Sequence, residues 1–139
     1  MVSTGNALVK LRALCAKQDR CRSELLLKLA GWGLDGAEAD RLLDRLEHEG
    51  FLNERRFAGH FAVSKLRQNG WGREKIRAAL DQKGLSEADI GAGLAAIDPE
   101  EYASALAKLV ARRDRVEGLR ALLIGRGFEE DLVEEALNR

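Results

Sequence analysis

Four residues of this chain carry soft or titratable ligand chemistry: Cys15, Cys21, His48 and His60. A tetrahedral metal site would need all of them, yet no pair has the close spacing of a zinc knuckle or a C-x-x-C redox motif. Both histidines fall in charged or amphipathic helical stretches far from the cysteines. The plain expectation is two reduced thiols, one of them a small core residue, and no bound metal. No Ser-His-Asp or Cys-His order stands out, and the carboxylates occur mostly as helix caps and solvent-face residues. No catalytic residue and no cofactor are expected.

A second candidate is "NGWGREKIRAAL", Asn69 to Leu80. A phosphate-binding P-loop needs G-x-x-x-x-G-K-[ST] after a strand. Here the glycines are two apart, no Ser or Thr follows a lysine, and the upstream stretch from Phe57 to Leu66 has helical spacing. The dinucleotide fingerprint G-x-G-x-x-G fails as well, because Lys75 stands where the third glycine belongs. A helix-turn-helix fits better: Gly70 ends one helix, Gly72 opens the next, and Trp71 folds back onto the apolar seam. Such a segment can enter a DNA groove. Glu74 and Asp81 on the second helix disfavour base readout, leaving weak, non-specific backbone contact as the DNA-binding alternative. Trp32 and Trp71 read as packing anchors at turns rather than as rings that stack on a cofactor.

The elements that place these residues follow from an internal repeat. Three stretches align on a glycine followed by a large apolar residue: Gly33-Leu34, Gly84-Leu85 and Gly127-Phe128. Leu25, Ile76 and Leu119 precede the glycines at one fixed distance, and Leu29, Leu80 and Leu123 at another; Leu43, Leu94 and Leu137 follow. Spacings of three and four on both sides mean a helix, a break and a second helix. A further amphipathic helix precedes each pair, over 7–17, 54–68 and 100–113. Asp98-Pro99 with Glu101 reads as a capping box, and Asp35 with Glu38 and Ser86 with Asp89 read the same way. Asn53 is placed to cap the helix that begins at Glu54. The expected fold is all-α: three tandem three-helix repeats, 6–52, 53–97 and 98–139, stacked into an elongated, curved rod. One proline, 5% aromatic residues and no strand alternation agree. No apolar run approaches a membrane span, and "MVSTGNALVKL" has no apolar signal-peptide core, so the expected location is the cytoplasm.

The net charge is zero, but it is not evenly spread. Residues 1–30 carry +4, 31–50 carry −4, 54–83 carry +5, 84–101 carry −5, 102–126 carry +4 and 127–139 carry −4. The first two helices of each unit are therefore basic and the third acidic. Acids favour helix N-termini, but that does not explain the gathering of the opposite sign. If the units stack in one orientation, a basic face suits an acidic protein groove or a phosphate backbone.

The stretch "FLNERRFAGHFAVSKLRQNGWGREKIRAALDQKGL" resembles the RecX family, regulators of the RecA recombinase. The resemblance rests on Phe51-Leu52, Arg56-Phe57-Ala58, Gly70-Trp71-Gly72, Ile76, Leu80 and Lys83-Gly84-Leu85, and on Ser23, Glu24 and Leu25 in the first unit. It covers residues 7–97 well, and 98–139 in pattern more than identity. It implies a non-enzymatic, cofactor-free regulator of DNA repair and recombination in the SOS response. Such a protein lodges in the groove of the RecA–DNA filament and inhibits ATPase, strand exchange and co-protease activity. A monomer with weak DNA affinity is expected. The residues expected to contact the filament are Arg55, Arg56, Lys65, Arg67, Arg73, Lys75 and Arg77, followed by Arg20, Arg22, Arg112, Arg113 and Arg115. Two departures from the family are the neutral total and a helix, "GHFAVSKLRQN", poorer in arginine. Reversing Arg73, Lys75 and Arg77 together should abolish inhibition while leaving helicity and melting intact. Unfolding instead would mean that these side chains pair with an acidic third helix.

Overall fold

The computed structural model describes residues 2–112 and 118–139. Among them every regular element is helical, in three sets of three. The first set is α1 (Thr4–Lys17), α2 (Arg22–Gly31) and α3 (Gly36–His48). The second is α4 (Glu54–Ser64), extended by one π-helical turn over Lys65–Asn69, then α5 (Arg73–Gln82) and α6 (Glu87–Ala95). The third is α7 (Pro99–Ala111), α8 (Leu119–Gly125) and α9 (Glu130–Leu137). None is long and apolar enough to cross a membrane.

The three anchor glycines end α2, α5 and α8 in one and the same way. Gly33, Gly84 and Gly127 have φ of 83°, 83° and 99°. In each case the next residue's N–H donates back to the leucine five positions earlier: Leu34 to Leu29, Leu85 to Leu80 and Phe128 to Leu123. This is the Schellman turn, which needs a left-handed residue that only glycine supplies cheaply. Those leucine acceptors are fully buried, as are Leu25 and Ile76 one turn earlier. The turn thus fixes both the helix end and the direction in which its apolar face looks.

Helix starts follow the expected caps with three corrections. Asn53, Ser86 and Asp98 accept hydrogen bonds from the backbone N–H groups of Arg56, Asp89 and Glu101 at 3.0, 3.1 and 3.3 Å. Asp35 sits at the N-cap of α3 but makes no capping hydrogen bond. The reciprocal halves of the boxes at Asp98 and Ser86 are also missing: Glu101 turns outward to form a two-pronged bond with Arg67, and Asp89 accepts from Arg55. A charge-assisted fork outweighs a neutral backbone donor.

Apolar packing divides the molecule unequally. Leu11, Leu25, Leu29, Leu43 and Leu46 centre a core confined to α1–α3 and the chain just after them. One continuous core runs through the second and third sets, from Phe57 and Ile76 to Leu123, Phe128 and Val133, and reaches the first set only at Cys21. Within the second set α4 and α6 meet on small residues: a Cβ on Gly93 would stand 2.6 Å from that of Ala58.

The second and third sets are joined backbone to backbone. Gly72 N–H donates to the Arg126 carbonyl at 2.7 Å, and Glu74 N–H to the Gly127 carbonyl at 2.8 Å. A Cβ on Gly72 would collide with the Gly127 backbone, and one on Gly127 would collide with the Lys75 amide nitrogen. Gly72→Ala is therefore expected to cost about 2 kcal/mol or more in urea unfolding, as over-packing does. Gly91→Ala, with nothing within 4 Å in the middle of α6, should instead stabilise by about 0.5–1 kcal/mol.

Candidate interaction surface

The Gly70-Trp71-Gly72 corner owes its form to the π-helical turn before it. Trp71 N–H donates to the Lys65 carbonyl at 3.2 Å and Gly70 N–H to that of Leu66 at 3.1 Å, with Gly70 left-handed at φ 67°. Trp71 follows, partly buried against the core of the second and third sets as expected, and edge-on to Phe61 with ring centres 6.4 Å apart. Lys65 Nζ lies 4.9 Å and Lys75 Nζ 4.6 Å from the indole centre. The ring's negative face orders both ammonium groups, each cation–π contact being worth about 0.5–1 kcal/mol at an exposed site. Neither lysine has a carboxylate within 4.0 Å among the described residues. A shallow cleft beside them runs from Trp71 and Lys65 to Leu27, which is 77% exposed. Lys83 closes its inner edge, over the rings of Phe57 and Phe61 and 3.4 Å from Glu24.

The other basic residues meet a different fate. Arg22 is surrounded by Asp40, Asp44 and Glu47 of α3, with Asp44 at 2.8 Å. Arg55 and Arg77 bind Asp89 and Glu87 of α6, each at 3.1 Å. Arg56 binds Asp19 at 2.9 Å, where His60 also points. Arg67 and Arg73 reach forward into the next set, to Glu101 and Glu129. The basic helices and the acidic helices are thus largely each other's partners, not two separate faces. The structure brings Lys65 and Lys75 together and leaves Arg20 and Arg112 elsewhere. Arg20 has a buried Nε with no hydrogen-bond partner, and Arg112 is exposed at the end of α7. Arg113 and Arg115 lie outside the described residues. Both cysteines are free and buried, and burial pushes both thiols above their ordinary range, so neither is a ready nucleophile.

Arg73 is the most constrained of the set. Its guanidinium lies 3.8 Å from the Tyr102 ring centre and 2.8 Å from a Glu129 oxygen. Its backbone N–H donates to the Tyr102 hydroxyl at 2.9 Å, and that hydroxyl donates in turn to Glu129. Burial and then the Glu129 bond push the Tyr102 hydroxyl far above its ordinary pKa. For Glu129 burial is the largest single influence and acts upward, but the bonds from Tyr102 and Arg73 outweigh it and leave the carboxyl below its usual range. Sequence reading missed Tyr102, Glu129, Lys83 and Leu27. Only Leu27 left a local signal: α2 carries four leucines, and its buried stripe takes only Leu25 and Leu29.

Comparison with known proteins settles the family. Residues 53–94 match the family model for the second three-helix domain of RecX. The regulatory protein RecX of Chlorobium phaeobacteroides is 30% identical over 91% of this chain and 87% of its own. That of Chromohalobacter salexigens is 33% identical over 89% and 86%. The chain belongs to the RecX family. A crystal structure of regulatory protein RecX superposes with a TM-score of 0.78 at 21% identity, over 98% of this chain and 74% of that one. A second, RecX from Lactobacillus salivarius, gives 0.82 at 15% identity, over 97% and 94%. These two share the fold. The matched segment contains Lys65, Trp71 and Lys75.

Because Glu129 is held below its usual range, its contribution to stability is complete above the ordinary carboxylate pKa. It is lost as pH falls through the lower folded value. Glu129→Gln should therefore be less stable than the parent at neutral pH, with the difference shrinking as urea unfolding is repeated from pH 5 downward.

Proposed function

We propose that this protein regulates RecA by lodging in the groove of the RecA–DNA filament and inhibiting ATPase, strand exchange and co-protease activity, without catalysis or cofactor, as a cytoplasmic monomer. Family membership supports the RecA connection. The observation that carries the contact is the pair of lysines on Trp71: two ordered positive charges with no carboxylate partner among the described residues, beside an exposed leucine. A partly desolvated aromatic rim with cations is the composition of an interface hot spot. In this reading Lys65 and Lys75 lead. Arg55, Arg56, Arg67, Arg73 and Arg77 act by holding the repeats 6–52, 53–97 and 98–139 in place, and any contact they make reuses a charge already paired. Triple reversal of Arg73, Lys75 and Arg77 would mix both roles, since a glutamate at position 73 would face Glu129.

A double substitution separates them. RecA's DNA-dependent ATPase is measured with substoichiometric amounts of this protein or of Lys65→Glu/Lys75→Glu. The double variant should inhibit about tenfold less or weaker still, as removal of a hot spot does, with an unchanged melting curve. Inhibition at parent strength would remove these lysines from the contact. Tight binding to naked DNA with no effect on RecA would overturn the regulatory reading in favour of a DNA-binding module.

A further inference from the structure

A second basic site lies at the join of the second and third helix sets, away from the Lys65–Lys75 pair that leads the filament reading. A cleft of about 500 Å³ opens between the π-helical turn and α7, and four cations line it, Arg67, Lys108, Arg112 and Arg126, against one carboxylate, Glu101. Arg67 and Glu101 neutralise one another. Lys108, Arg112 and Arg126 have no carboxylate within 4.0 Å among the described residues, although Lys108 feels Glu101 through space. Lys108 and Arg112 stand one turn apart on α7 and so share a face. Arg126 comes from the end of α8 and packs over Gly70, its Nη1 standing 2.8 Å from where a Cβ would be. Gly70 therefore serves the left-handed turn and clears the space that Arg126 occupies.

Three helix ends converge here, at Gly70, Arg112 and Arg126. Their carbonyl ends carry about half a negative charge each, which explains why cations collect. Three such ends offset only about half of three full positive charges, so the cleft stays positive. Its floor of Leu66, Ala105 and Leu109 is apolar, and Asn69 and Ser104 add neutral hydrogen-bonding groups at the rim.

We infer that this cleft binds phosphate groups, with a sugar or base resting on the apolar floor. Two arginine forks and a lysine, converging from α7 and from the end of α8, suit a phosphate, whose several oxygens can each accept from a different donor. The volume is that of a small-ligand site. The phosphate can belong to a free nucleotide or to a nucleic-acid strand, and the experiment separates the two.

Fluorescence anisotropy with a labelled oligothymidylate, and calorimetry with ATP and tripolyphosphate, are run at about 0.05 M salt, where phosphate contacts are strong. Lys108→Gln/Arg126→Gln should bind at least tenfold more weakly. For the strand it should show a salt dependence shallower by about 0.7 in slope for each phosphate no longer neutralised. Lys65→Gln/Lys75→Gln should bind as the parent does, which keeps this site distinct from the filament contact. Displacement of the strand by ATP or tripolyphosphate makes free phosphate sufficient; binding of the strand alone makes the nucleic acid the ligand; either supports the site. Lys108→Gln alone, on an exposed side chain, serves if the double variant melts early. The inference is overturned if no phosphate probe binds, if binding ignores these substitutions, or if polyglutamate displaces the strand equally well.

Discussion

The structure turns on one close approach, the meeting of Gly72 and Gly127. Each lies beside a helix end, and their backbones come nearer than any side chain would allow. Two hydrogen bonds cross the contact, and Arg73, Tyr102 and Glu129 clasp it from one side. Because the backbones touch, the end of α8 is delivered to the start of α5. Everything at that join is set by this single approach: the shared core behind it, the Trp71 corner ahead of α5, and Arg126 over Gly70.

The charge alternation takes its meaning from the same geometry. Three-helix units with short connections place the N-termini of the acidic helices against the flanks of the basic ones. Asp89, Glu87, Glu101 and Glu129 all lie in or next to the first turn of a helix and all accept from arginines elsewhere. Such exposed pairs add little stability one at a time. Arg67–Glu101 and Arg73–Glu129 cross from the second set to the third, so a wrong register between those sets would break both. A chain of zero net charge can hold this pattern and still present positive sites, provided a few cations are left out of the pairing. Lys65, Lys75, Lys108 and Arg126 are such cations among the described residues.

Leucines 25, 29 and 43 and their counterparts in the later repeats could be read as buried from spacing alone, because a helix repeats every 3.6 residues whatever lies around it. Gly33, Gly84 and Gly127 could be read as helix ends because the left-handed turn is a property of one residue. Caps at Asn53, Ser86 and Asp98 are equally local. The failures begin where a side chain has two possible partners. Glu101 could reach back to its own N-cap or out to Arg67, and only the distance to another repeat decides. Trp71 reads correctly as a packing anchor, but that Lys65 and Lys75 both settle over its ring does not, because their approach depends on how the π-helical turn and α5 meet in space.

The helices, their ends, the threefold repeat and the family resemblance were all legible in the chain, since each depends on residues within a few turns of one another. Which charges are spent was legible only in three dimensions. Arg73 and Lys75 are two residues apart in one basic run. Arg73 is bound to Glu129, 56 positions away, whereas Lys75, with no carboxylate partner among the described residues, stands over the face of Trp71. No local rule separates them, because a charge is neutralised by whatever stands within a few ångströms in space, and chain folding chooses that neighbour.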